Sequence, residues 1–213
     1  MPVVQEFVPK TIIALAAPSA GGKKTTLGYF LRYVSEAKLM VSYTDRPQGP
    51  GEKDRVDYYF VTAAKFDEIL ATRTILTYGT HDGHRYCDVM PEGQYEIVTI
   101  EVKIETAIDV RRRYPRQTII VWLDPPGWTE TMKIMFLLGR LKGRNRDSRN
   151  SMYRRLDCAR YEMKAGPKAA NVCYTNRWSH LTAWRMALLV RRRQLIHCII
   201  KRVLPRWIWM WWL

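Results

Sequence analysis

Short apolar runs and helically spaced apolar stripes alternate along this chain. Thr11–Ala16 (TIIALA) is a short apolar run that gives way to small residues and glycine, the pattern of a strand buried on both faces. After the turn APSAGGKKTT, Leu27, Phe30, Leu31 and Val34 fall on one face of a helix. A loop rich in proline and glycine follows, and Asp57–Val61 re-enters a strand. Glu96–Val102 and Thr118–Leu123 read as further strands, the second stopped by Pro125 and Pro126. Helices are predicted over Ala107–Tyr114 and Met132–Leu141, and a last strand over Asn171–Thr175. Strands alternating with helices predict an α/β fold with a parallel sheet and right-handed crossovers.

The end of the chain departs from this rhythm. Leu188, Leu189, Leu195, Ile196, Ile199, Ile200, Val203 and Leu204 recur at helical spacing, interleaved with Arg191–Arg193, Lys201 and Arg202, before RWIWMWWL closes the sequence. Residues 186–204 therefore predict an amphipathic helix, seated on the core or on an anionic membrane surface. The stretch is too interrupted by charge to span a bilayer.

Charge sharpens the contrast. Residues 1–106 hold 12 Lys/Arg against 14 Asp/Glu, whereas residues 107–213 hold 23 against 6, within a net charge of +15. So basic a half attracts phosphates, nucleic acid or anionic lipid, or is simply a solvated surface. Length and an apolar fraction of 47% allow one sizeable core with small inserted lobes. The four cysteines form no CxxC pair, which argues against zinc and against a disulfide framework, and fits a reduced, cytoplasmic setting. The N-terminal residues lack the basic start of a signal peptide.

The sharpest local signal is the loop Ala17, Pro18, Ser19, Ala20, Gly21, Gly22, Lys23, Lys24, Thr25 between a predicted strand and helix. A phosphate loop needs small residues so that backbone N–H groups point inward, a lysine for the transferable phosphates, and a hydroxyl for Mg²⁺. In one register Gly22–Lys23 matches the GK of GxxxxGK[ST], and Lys24 stands where the hydroxyl belongs. With one extra residue, Lys24 becomes the phosphate lysine and Thr25 the metal ligand.

With these stretches assembled, the chain resembles guanylate kinases from about Ile12 to Asn176. APSAGGKKTTL is similar to the family's phosphate loop, and VSYTDRPQGPGEKDRVDYYFV to its VSxTTRxPRxGExxGxDYxFV motif. TIEVKIETAIDVRRRYP and the arginine-rich GRLKGRNRDSRNSMYRRL complete the match, in the family's order. The resemblance implies a three-layer P-loop core with an inserted monophosphate-binding lobe over about 42–96 and a lid over about 138–157. The domain as a whole is expected over 1–185, with 186–213 a basic, tryptophan-rich tail. It implies ATP and Mg²⁺ as cofactors, GMP as substrate, and transfer of the γ-phosphoryl of ATP. Ser42, Arg46, Tyr58 and Tyr86 match residues that hold the monophosphate; Arg140, Arg144 and Arg155 match the closing arginines of the lid. Asn176 matches a residue near the adenine pocket. Glu101 matches the acidic end of the strand beside the loop.

Three departures change that picture. A second phosphate-binding arginine of the family falls at Gly49, and its acidic guanine-reading residue falls at Thr80. The family's YGT becomes Tyr86–Cys87–Asp88. Guanine offers two neighbouring donors, so a selective pocket wants a carboxylate there; Asp88, or failing that Asp82, is expected to replace the missing acid. The competing readings are a catalytically weak binding module for an anionic partner, and a basic membrane-surface or nucleic-acid protein. No specific nucleic-acid module is recognisable, so the expected partners are GMP and a weak membrane contact through the tail, in a monomer or dimer.

Overall fold

The computed structural model describes residues 9–81, 83–91, 93, 95–143 and 148–203, with side chains up to 193. Its central sheet has the order β2–β7–β1–β8–β9 and is parallel throughout. The strands are β1 (Thr11–Ala16), β2 (Ala37–Leu39), β7 (Ile97–Val102), β8 (Thr118–Asp124) and β9 (Val172–Thr175). All six residues of β1 are buried, as a strand with neighbours on both sides and helices on both faces requires.

Alternate residues of these strands supply two separate cores. Ile13 and Leu15 of β1 and Val121 of β8 meet Leu27 and Phe30 of helix α1 (Lys23–Tyr33). The same core takes in Ala183, Met186, Ala187 and Val190 of α6 (Ser179–Val203). On the opposite face, Ile12, Ala14, Ile100 and Trp122 meet Ile104, Ala107 and Val110 of α3 (Ile104–Arg113), with Met163 of α5 (Arg149–Ala169). The result is the three-layer α/β architecture that the alternation predicts. The boundary expected between 185 and 186 falls inside α6, and the buried residues of that helix lie on both sides of it. The closing tryptophan cluster lies outside the described residues.

One contact fixes how α5 crosses the sheet. A Cβ on Gly166 would stand 2.4 Å from the ring of Trp122, which is fully buried. The helix lies directly on the indole, and only glycine permits that approach.

A second sheet, β4–β3–β6–β5, forms the inserted lobe. Its strands are β3 (Tyr43–Thr44), β4 (Tyr59–Phe60), β5 (Ile75–His81) and β6 (His84–Val89). Helix α2 (Ala63–Thr72) packs Phe66 and Ile69 against Cys87 and Val89 of this sheet. Thr62 caps α2 by accepting from the Lys65 N–H at 3.2 Å. Helix α4 (Glu130–Gly143) leads to the lid segment, and α5 leaves it with Ser148 as cap.

Candidate active site

The phosphate loop begins where β1 leaves the core. Ala20 and Gly22 both take left-handed backbone, with φ of 65° and 94°. These turns fold the loop back, with the Gly21 N–H donating to the Pro18 carbonyl at 2.9 Å, and deliver the chain into α1 at Lys23. A Cβ on Gly21 would meet Ala17 Cβ at 2.8 Å and the Pro18 carbonyl at 2.9 Å, so the loop is closed tightly over itself. Lys23 Nζ donates to the Ala17 carbonyl at 2.8 Å, folding its ammonium back across the loop mouth. The positive end of α1 and this ammonium converge on the same space.

Lys24 goes elsewhere. Its side chain is largely exposed and forms an ion pair with Asp57 of the inserted lobe. The two lysines that the sequence leaves interchangeable thus have different surroundings: one spans the loop, the other bridges α1 to the lobe. Thr25 is exposed on the first turn of α1, whereas Thr26 is fully buried and its Oγ1 lacks a hydrogen-bond partner.

The lid and the last strand close over the loop. Arg155 Nη1 donates to Ser19 Oγ at 3.0 Å. The Arg140 guanidinium lies beside Gly22, 3.3 Å from where a Cβ would stand, and over the Phe136 ring at 5.4 Å. Asn176 Nδ2 donates to the Gly21 carbonyl at 2.8 Å, while its Oδ1 is buried with no partner. Arg144 lies outside the described residues.

In front of the loop is a cavity of about 250 Å³, lined by Ala17, Ser19 and Lys23, by Lys103, by His81 of the lobe, and by Ser151, Arg155, Cys158 and Glu162 of α5. Glu162, Lys103 and His81 are missing from the sequence reading. The signal for Glu162 was present: Ser151, Arg155, Cys158 and Glu162 recur at helical spacing and form one polar stripe on α5. Burial raises the Glu162 carboxyl above its usual range, and the charge of Lys23 opposes that rise.

The lobe gathers a second cluster around Arg46. Arg46 donates through Nε to Tyr86 Oη at 3.1 Å and through Nη2 to both Glu52 oxygens at 3.0 and 2.8 Å. Its guanidinium also lies over the rings of Tyr58 and Phe60, at 5.6 and 5.5 Å. Burial, followed by the charge of Glu101, pushes the Tyr58 hydroxyl up to about 12, so it remains a donor at neutral pH. At Gly49, which departs from the family pattern, the backbone N–H donates to Glu52 Oε2 at 2.9 Å. Glu52 therefore ties this turn to Arg46, and the Arg46 bonds with the Gly49 N–H lower its pKa against the upward push of burial.

Deeper in the lobe, Asp88 is almost fully buried at 3% exposure. Ser42 Oγ donates to one carboxylate oxygen at 2.6 Å and Thr77 Oγ1 to the other at 2.5 Å. Burial raises the Asp88 pKa, and the two hydroxyl donors work against that rise. This corrects the expectation about Thr80. In the β5–β6 pairing Thr77 faces Asp88 and Gly79 faces Tyr86, so Thr77, Asp88 and Tyr86 share one face. Thr80 is exposed and pairs opposite Arg85 on the other face. The position that complements Asp88 is Thr77. Asp82, the fallback reader, lies outside the described residues.

The chain is similar to known guanylate kinases in sequence and in fold. The guanylate kinase family model matches residues 9–168. The guanylate kinase of Thermobifida fusca is 37% identical over 164 residues, covering 74% of this chain and 79% of that protein. That of Cutibacterium acnes is 32% identical over 189 residues, covering 85% and 90%. The crystal structure of guanylate kinase from Anaplasma phagocytophilum superposes with a TM-score of 0.66 at 18% identity, covering 92% of this chain and 96% of that one.

Proposed function

This chain belongs to the guanylate kinase family, and we infer that it transfers the γ-phosphoryl group of ATP to GMP, giving ADP and GDP. The observation that carries the reading is the meeting of three elements at one loop: Lys23 and Arg155 both bond the phosphate loop, and His81 of the lobe lines the same cavity.

Each side chain then has a task. Lys23 exchanges the Ala17 carbonyl for β- and γ-phosphate oxygens, while the N–H groups of Ala20, Gly22 and Lys23 receive the rest of the polyphosphate. Arg155 and Arg140 face the phosphoryl group in transfer, where fixed positive charge counts most. Arg144 is assigned the same task by the family motif alone. Asn176, with its unpartnered acceptor, faces the adenine side of the loop. In the lobe, Arg46, Tyr58 and Tyr86 hold the GMP phosphate, with Arg46 sharing its fork between phosphate and Glu52. Ser42, Thr77 and Asp88 form the base-reading group, in which Asp88 supplies the acceptor for guanine. Glu101, at the end of β7, contributes negative charge between the two sites.

The loop's glycines, left-handed turn and lysine fit the phosphates of ATP. For Mg²⁺ the donor set is sparse. No group of three or more His, Cys, Asp or Glu suited to a metal occurs among the described residues, and Lys24 occupies the usual hydroxyl position. Thr25, the first hydroxyl after Lys24, is the residue left to hold the ion beside Lys23, and the ion would neutralise charge on the phosphate oxygens.

A coupled assay of ADP formation with ATP, Mg²⁺ and GMP tests the reading. GMP-dependent turnover is expected, and ADP release that is the same with and without GMP would overturn it.

A further inference from the structure

Among the described residues, helix α6 is apolar on two faces, and only one of them is packed. Ala183, Met186, Ala187 and Val190 are buried against α1 and the sheet. On the outer face, Leu181, Trp184 and Leu188 follow one another at helical spacing and are 39%, 47% and 47% exposed. Trp184 and Leu188 line a shallow groove with Tyr33, at the end of α1, and Arg191. Water is a poor solvent for such a contiguous patch, and its groove shares no lining residue with the cavity in front of the phosphate loop.

The charge around it selects its partner. After Glu162 the chain contains no Asp or Glu, while ten Lys/Arg follow. Arg32, Arg185, Arg191 and Arg192 are exposed near the patch, and Arg191 is steered to its edge by donating to the Tyr33 carbonyl at 3.1 Å. A second copy of the chain would bring the same unbalanced cations against these and be repelled. Nucleic acid would satisfy the arginines but provides no apolar phase for Leu181 and Leu188. An anionic bilayer offers both, with phosphates at the headgroup level and acyl chains beneath, and tryptophan and tyrosine suit the boundary between them.

We propose that the outer face of α6, with Tyr33 of α1, docks this protein reversibly on an anionic phospholipid surface. Leu181, Trp184 and Leu188 enter the headgroup boundary, and the surrounding arginines meet lipid phosphates. The proposal does not depend on the phosphotransfer reading, since none of these residues touches the loop or the lobe.

The test is sedimentation of the full chain with phosphatidylcholine vesicles, with and without phosphatidylglycerol. The parent is expected to bind only the anionic vesicles, and more weakly as salt rises. Trp184→Ser with Leu188→Ser should lower partitioning about tenfold or more, with melting and turnover in solution unchanged. Arg185→Gln with Arg192→Gln should flatten the salt dependence. Equal binding by parent and Trp184/Leu188 variant would overturn the proposal, as would equal binding to neutral vesicles or none at all. So would self-association, or nucleic-acid binding, that the same two substitutions abolish.

Discussion

The five-stranded sheet and the four-stranded lobe sheet are held together by different means. In the first, β1 is buried from end to end and apolar side chains fill both sides. In the second, β3 and β4 are two residues each, and polar side chains do much of the joining. Asp45 binds Arg85, Arg46 binds Glu52, and Ser42 and Thr77 bind Asp88. The core's packing carries little charge, so it offers little for pH or salt to act on. The lobe instead has groups that recognise a charged, hydrogen-bonding substrate.

The largest effect expected from this division is at the loop, where the core meets the phosphates. Lys23→Ala should lower kcat/KM by about 10²–10³-fold without changing the melting temperature, because its ammonium bonds only the loop it serves. Lys24→Ala should cost little by comparison, since an exposed ion pair contributes little. Equal losses in the two would erase the distinction between them.

Base choice tests the lobe. Asp88→Asn should lower the ratio of kcat/KM for GMP over AMP by about 10–100-fold. The parent's KM for GMP should rise as pH falls through the raised pKa of Asp88, as the acceptor becomes protonated. That rise should vanish in the variant. An unchanged ratio would remove Asp88 from the base-reading group.

The core is tested by crowding it. Gly166→Ala should destabilise the fold by about 1–3 kcal/mol in urea unfolding, because the buried Trp122 ring has nowhere to go. The smallest expected effect is on the acid limb of stability. Arg85 holds Asp45 below its usual pKa, through its backbone N–H and then its side chain. This group stabilises above its unfolded value of about 4 and loses that contribution as pH falls through its lower folded value. The melting temperature of Asp45→Asn should fall less steeply than the parent's between about pH 4 and 2.

How far the sequence could be read follows the same division. The core strands announced themselves because burial on both faces leaves an apolar run. The phosphate loop was legible in composition but not in register; the start of α1 at Lys23 separates the lysines. The lobe was the hardest part. Thr77 and Asp88 of the β5–β6 hairpin are polar residues buried by pairing with each other, so its inner face does not read as apolar. Thr77 and Thr80 point to opposite faces of β5, and the β5–β6 pairing is what tells which of them meets Asp88. Glu162 was passed over because a single glutamate on a long basic helix looks like a solvated charge.

Helix α5 behaves as a lever. Gly166 rests on the Trp122 ring, and Arg155 lies eleven residues back along the same rod. At ~1.5 Å per residue that arm is about 16 Å, so tilting the helix by about 10° around its seat carries the guanidinium roughly 3 Å. The bond from Arg155 to Ser19 is 3.0 Å long. A rotation of that size would take the arginine off the loop or bring it back. The glycine that lets the helix lie flat on the indole thus sets the gearing between a quiet core and a moving charge.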